Sequence, residues 1–467
     1  MGFEDEGSDI GSMDGDNVMS TEEESEWSTE EESEDEDRSV EEEPMIVPRR
    51  KTYPYLNPPA HVCPDDVERP PFVLMEDFAY IADRDNATTA TATCEMAGRR
   101  GDFKVTLYTA PPPLVSYLCV HSTAFHHTEF AIEPQIIATE SNGGLLLLRV
   151  VIGDHHSDCM ITRKREYFVY DARSSTPSLT HLPRRGSLQF NEPSLAIVRK
   201  CNKRPHGASE DDHDCSNCDY VVAAQSRGSK EPVVARTRSY PDHGTSKTIT
   251  IGGDKGTVAW VDLSRNIVYC DVLDKRPKAR YVRLPPESEP LEYGDPRSVR
   301  DVALVGGLIR YVELKPRVQP GLLRNSQCTY HGWAATVWSI KTSSSSAKDW
   351  NTDYQLDSSQ IPEHLLPKLR VSADIAAQPT MSSLQIGLPN LSLQDDGIVY
   401  FLTKIDHRDN DHTAWVLTVD MRNKTIHKVA EFGATRTVGL AKAYNATRIS
   451  KYLRVAADKC KEGGRTH

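Results

Sequence analysis

The run TVAWVDLSRNIVYCDVL, residues 257–273, reads as strand, turn, strand. TVAWVDL (257–263) and NIVYCDV (266–272) are short, rich in β-branched and aromatic residues, and separated by polar residues. Asp262 ends the first half, where its carboxylate can accept hydrogen bonds from the amides of the turn beyond it. The same corner recurs weakly at Asp171 in VYDARSSTPSLTHLP and at Asp420 in TVDMRNKTIHKVAEF. Two of the three runs lead on to Leu-Pro, at Leu182-Pro183 and Leu284-Pro285. The recurrence reads as a repeated hairpin corner, or as coincidence among the many turns that contain Asp.

Segments of the same kind continue on both sides. Upstream lie FKVTLYT (103–109), VSYLCVH (115–121), QIIATE (135–140), LLLLRVVIG (145–153), YFVYDA (167–172), DYVVAAQ (219–225) and KTITIG (247–252). Downstream come ARYVRLP (279–285), VRDVALV (299–305), LIRYVEL (308–314), AATVWSI (334–340), GIVYFLTKI (397–405), TAWVLTVD (413–420) and TIHKVAEF (425–432). Helical periodicity is confined to SQIPEHLLPKL (359–369) and ATRISKYLRVAADK (446–459), the latter expected as a short C-terminal helix. Recurring antiparallel units over most of the chain suggest an all-β, β-propeller-like body, because radial repetition protects strand edges. The spacing is too irregular to count blades.

Charge divides the 467 residues into two parts. Residues 1–43 hold 20 Asp and Glu against Arg38 alone. The remaining 424 positions keep 54 of the 55 Lys and Arg but 48 of the 68 Asp and Glu, a net +6 inside a chain of net −13. So acidic a segment repels itself and buries too little apolar surface to offset its ordering entropy. Residues 1–48 are therefore expected as a disordered acidic tail and 49–467 as the folded body. Ser20, Ser28, Thr29, Ser33 and Ser39 each have Glu three positions on, the pattern acidophilic kinases read, and are the phosphorylation candidates.

The opening MGFEDEGSDI offers no basic stretch followed by an apolar one, so a secretory signal is not expected. GLLLLRVVIG, the most apolar run, is too short to span a bilayer. The expectation is a cytoplasmic or nuclear chain, not secreted, with no membrane partner and monomeric. Its ten cysteines then read mostly as small buried hydrophobes.

One run suits a metal. CNKRPHGASEDDHDCSNC gathers Cys201, His206, His213, Cys215 and Cys218, and thiolates at C-x-x-C spacing can chelate zinc from one turn. No second C-x-x-C completes the usual pattern, and the plainer reading is a polar inserted loop with exposed thiols. His126-His127, His155-His156 and Asp406–His412 read as turns or surface edges. The nucleophile elbow, the phosphate-binding lysine loop, the helix-opening dinucleotide fingerprint, the zinc-protease helix and the kinase signatures are all missing. IGGDKGTVAW opens a strand, which argues against phosphate cradling at Gly252 and Gly253. Basic clusters at Arg49–Lys51, Arg163–Tyr167 and Leu273–Arg283 sit in a body of mild charge with no reading helix, so nucleic acid is not the expected partner.

GTVAWVDLSRNIVYCDVLDKRPKARYVRLPPE and RSVRDVALVGGLIRYVEL resemble the plant, grass-expanded family known as domain of unknown function 1618. The likeness continues through HGWAATVWSI with Trp333 and Trp338, then Trp350 and LPNLSLQDDGIVYFLTKI, with its core at about 257–405. The resemblance implies a propeller-like body in the style of kelch and F-box-associated modules, and no catalytic residue or cofactor. It leads us to expect a non-enzymatic protein-interaction module in plant cells, in stress or developmental regulation. The alternatives are a ubiquitin-ligase substrate receptor without its own F-box, since no such helix set precedes Tyr53, and an unrecognised hydrolase.

Overall fold

A computed structural model describes residues 53–60, 69–140, 143–153, 164–173, 176–182, 192–200, 219–224, 243–288, 291, 294–319, 329–344, 346–366, 369, 379–406, 414–433, 436 and 443–453. All belong to one compact unit, Thr52–His467. The expected tail, its five phosphorylation candidates and the Cys201–Cys218 cluster lie outside the described residues.

Alternating burial builds the sheets. In β13 (Thr257–Asp262) Val258 and Trp260 join one apolar layer while Ala259 and Val261 join another, so both faces of the strand are covered. That is why the stretch reads as nearly continuous apolar sequence. β13 belongs to a four-stranded meander with β12 (Lys247–Gly252), β14 (Asn266–Asp271) and β15 (Ala279–Arg283). Two more follow: β16 (Arg300–Val305), β17 (Leu308–Gln319), β18 (Thr329–Lys341) and β19 (Asn351–Asp357), then β20 (Gln385–Leu391), β21 (Ile398–Lys404), β22 (Ala414–Asp420) and β23 (Thr425–Phe432).

Upstream, β6 (Phe130–Thr139), β7 (Leu145–Ile152), β8 (Lys164–Asp171) and β9 (Ser178–Leu182) form another meander, and β10 (Leu195–Lys200) pairs with β11 (Asp219–Ala224). The remaining sheet joins distant parts of the chain. Its order is β24 (Tyr444–Thr447), β1 (Val73–Glu76), β5 (Val115–Ser122), β4 (Arg99–Tyr108), β3 (Ala90–Met96), with β2 (Tyr80–Ile81) also on β5. Val73 lies opposite Thr447 in the antiparallel β1–β24 register.

Numbered by their earliest strand, from the first sheet (β1) through those beginning at β6, β10, β12 and β16 to the sixth (β20), each sheet shares an apolar layer with the next. Phe103 of β4 stacks on Phe168 of β8 at 4.4 Å; Leu147 meets Ile197 between the second and third sheets. Trp260 links the third to the fourth, and its indole N–H donates to the Ser194 carbonyl at 2.7 Å. Tyr311 and Trp338 serve the fourth and fifth. Trp333 packs on Phe401 at 5.4 Å in the layer that joins the fifth sheet, the sixth and, through Leu74, Val115 and Tyr444, the first. Truncating a fully buried tryptophan of this kind costs about 3–5 kcal/mol.

Polar ties cross the same junctions. Lys247 Nζ donates to Asp301 Oδ1 at 2.7 Å, and Asp301 Oδ2 accepts the Leu391 N–H at 3.1 Å, tying the fourth, fifth and sixth sheets. Buried Arg300 donates through Nε to Glu313 Oε1 at 2.9 Å and through Nη1 to the Leu263 carbonyl at 2.9 Å. Thr248 reaches the Leu195 carbonyl at 2.8 Å, and Tyr170 reaches that of Thr88 at 2.6 Å.

Neither expected helix forms among the described residues. Segment 359–369 holds short 3₁₀ turns at Ser358–Gln360 and Glu363–Leu365, since Pro362 and Pro367 each lack the N–H an α-helix needs. The C-terminal helix is corrected likewise: Ala446 and Thr447 extend β24, and Ile449–Tyr452 is a 3₁₀ turn. The open edge of β1 claims the backbone groups of 444–447, so tertiary pairing overrides local helical preference. Residues 454–459 of that segment lie outside the described residues.

Candidate functional site

β3 and β4 form a hairpin closed by Ala97-Gly98, both at positive φ (50° and 85°). This two-residue turn makes Met96 and Arg99 a paired register position. β3 is the outermost strand of its sheet, and β9 is the outermost strand of the neighbouring one. Between them opens a cleft of about 800 Å³, lined by Thr93, Cys94 and Glu95 on one wall and Glu166, Thr180 and His181 on the other.

The charged floor is Glu166, only 2% exposed. Its Oε1 accepts the Ala97 N–H at 3.4 Å and its Oε2 lies 3.1 Å from His181 Nε2. The His181 ring is also held against Phe168, centroid to centroid 4.8 Å. At the rim, Lys164 Nζ donates to the Ala97 carbonyl at 3.4 Å. Burial pushes the Cys94 thiol up, and the Glu166 and Asp102 charges push it further the same way. A thiol held protonated is a poor nucleophile. The cleft thus presents a buried carboxylate, an anchored imidazole and an inert thiol, an arrangement suited to holding a polar or cationic group.

The repeated Asp corners are structural. Asp171 Oδ1 accepts the Arg173 N–H, Asp262 Oδ1 that of Ser264 and Asp420 Oδ1 that of Arg422, each at 2.9 Å. Asp171 and Asp420 turn the chain from the third strand of a meander to the fourth, Asp262 from the second to the third. The motif therefore marks a hairpin corner and not a fixed place in the sheet.

Gly252, Gly253 and Gly256 take positive φ in the turn between β12 and β13. The His126 and His127 rings lie tilted to one another, centroids 4.1 Å apart, beside a 3₁₀ turn. Lys275, Arg276, Lys278, Arg280 and Arg283 are all exposed along β15 and the turn before it, with Tyr281 47% exposed among them. Cys201, His206, His213, Cys215 and Cys218, with His155, His156 and His412, lie outside the described residues. Among the described residues no three His, Cys, Asp or Glu side chains gather as a metal site, and no helix is long and apolar enough to cross a membrane.

Sequence reasoning missed the cleft. Its signal was the alternation of ATATCEM (90–96), followed by Ala97-Gly98 and a second strand-like run.

These features define an all-β protein of successively packed sheets, antiparallel except where β1 and β2 run parallel to β5, with a polar cleft between two outer strands. Residues 260–400, from within β13 into β21, match the family model described as "Protein of unknown function (DUF1618)", and the chain carries this domain. No curated protein matches the chain.

Proposed function

We propose that the six sheets are the blades of a β-propeller and that the protein is a non-enzymatic interaction module whose contact surface includes the cleft between β3 and β9. The propeller reading is supported by the cyclic succession of apolar layers, which passes through every sheet and returns to the first. It is supported too by β24, which completes the sheet begun by β1 and so resolves edges that an open row of sheets would leave bare.

The observation that carries the interaction reading is the cleft. It is concave and polar, it stands on two rigid strands, and its one thiol is held in the unreactive form. Such a surface recognises a partner by shape and hydrogen bonding.

The test is binding of a purified partner to the full chain and to its Ala92→Trp variant, which fills the cleft from a half-buried position on its wall. Saturable binding that leaves the partner chemically unaltered, and that weakens in the variant, is expected. Turnover of a substrate that disappears with His181→Ala overturns the non-enzymatic reading.

A further inference from the structure

Resting on that reading of the cleft, we infer that the outer edge of β3 takes up an extended segment of a partner protein as an added strand, with a lysine or arginine of that segment directed at Glu166. The turn at Ala97-Gly98 sets the hydrogen-bonding phase of the hairpin. Met96 and Arg99 face one another across it, so alternate residues back along β3 bond to β4 and the ones between do not. Asp102, opposite Thr93, confirms the phase: it donates its N–H to Thr123 Oγ1 at 2.8 Å and accepts the Thr123 N–H at 3.0 Å, away from β3. The backbone groups of Thr91, Thr93 and Glu95 consequently point outward, and among the described residues no hydrogen bond reaches them.

This row recurs every two residues, about 6.8 Å, the repeat of an extended chain. Outer strands are usually blunted by charge, proline, bulges or brevity. β15 carries Arg280 and Arg283, β19 carries Asp353 and Asp357, β23 carries Lys428 and Glu431, and β9 has five residues. β3 has seven residues, no proline, no register shift and one charge, Glu95.

The cleft supplies the rest of the fit. Side chains on a strand alternate between faces, so every second residue of an added strand lies over the face that holds Ala92 and Cys94, where Glu166 and His181 form the opposite wall. Among the charged side chains that line the cleft, the two carboxylates of Glu95 and Glu166 stand against the one ammonium of Lys164, so the field there is negative. A cationic side chain complements that field, and small Ala92 leaves room for it. Backbone pairing then supplies affinity and the side-chain position supplies selectivity.

Selection of short random peptides from a displayed library on the full chain tests this. Expected clones share a Lys or Arg at a fixed position and slow hydrogen exchange at the Thr91, Thr93 and Glu95 amides. They bind about tenfold more weakly to Thr93→Pro, which removes an outward N–H while leaving the β3–β4 ladder intact. Glu166→Gln should weaken clones with the cation and spare the same peptides carrying Gln there. If Thr93→Pro does not fold, peptides N-methylated at alternate amides replace it, and binding should fall for one phase only. Clones that bind Thr93→Pro equally well, or that protect other amides, overturn the added strand while leaving the interaction module standing. Failure to select any clone overturns it also. If a purified partner fails to bind the full chain as well, the broader reading falls with it.

Discussion

The guanidinium of Arg436 lies 4.0 Å above the ring of Tyr80. Its Nη2 donates to the Ala79 carbonyl at 3.0 Å, and Nη1 stands 3.1 Å from Glu76 Oε1, close as charges but not aligned as a hydrogen bond. Arg436 comes from the connection between β23 and β24, so this contact ties a late segment to the start of the first sheet. Burial pushes the Glu76 carboxyl up to about 7, against the pull of Arg436 and Tyr80.

A pH dependence follows from Glu76. Between its ordinary value of 4.5 and about 7 the folded chain keeps a proton that the unfolded chain has released. Stability from this group is therefore complete below 4.5 and lost as pH rises through 7, by about 3 kcal/mol. Urea denaturation of wild type and Glu76→Gln across that range should show the decline reduced by this amount in the variant. Parallel curves would count against it.

Arg436→Ala should cost more at pH 8, about 3–5 kcal/mol, than at pH 5, because only the ionised Glu76 is left as an unpaired buried charge. The measurement is the same denaturation series at two pH values, and a cost independent of pH contradicts the assignment.

Arg300 and Glu313 are 1% and 3% exposed and bonded to each other. Arg300→Met alone should destabilise by about 3–5 kcal/mol, whereas Arg300→Met with Glu313→Leu should recover most of that, since no lone charge remains. A double variant as unstable as the single one would show that the Arg300 bond to the Leu263 carbonyl dominates.

At the corners, Asp262→Ala and Asp420→Ala should each cost about 1 kcal/mol, and the double variant their sum, because the two lie in different sheets. Calorimetric or chemical denaturation would reveal any coupling.

Burial holds the Cys119 and Cys270 thiols up at about 11, and Cys94 is also raised. Native chain treated with iodoacetamide at neutral pH should leave all three unmodified, and unfolding should expose them, as peptide mass spectrometry would register. Rapid native labelling of Cys94 would reverse the account of the cleft.

Strands buried on both faces were legible because burial writes itself as apolar sequence: β7, β13, β14 and β22 lie within the segments quoted for them. β19, NTDYQLD, was not, because polar residues form it and pairing with β18 alone places it. β20 hid for another reason: Leu388 takes φ 46° and the register shifts between Gly387 and Asn390, which breaks the alternation. Glu166 lay inside a segment that sequence alone groups with the basic clusters; it sits deeper in the cleft than Lys164, which shares its face of the strand but stays exposed at the rim. The cleft unites residues from positions 92 to 181, a proximity that no local pattern records.

The union of β1 with β24 has a consequence for how the chain is made. Asp77 and Asn445, bonded at 2.6 Å, are 368 positions apart. At about 5–20 residues per second, a ribosome needs roughly 20–70 s to travel from one to the other. Throughout that interval the free edge of β1 has no mate from this chain, and an early helper that shields it would serve until the last strand emerges. The first sheet, whole once finished, must lack its last strand for nearly the entire synthesis of the chain.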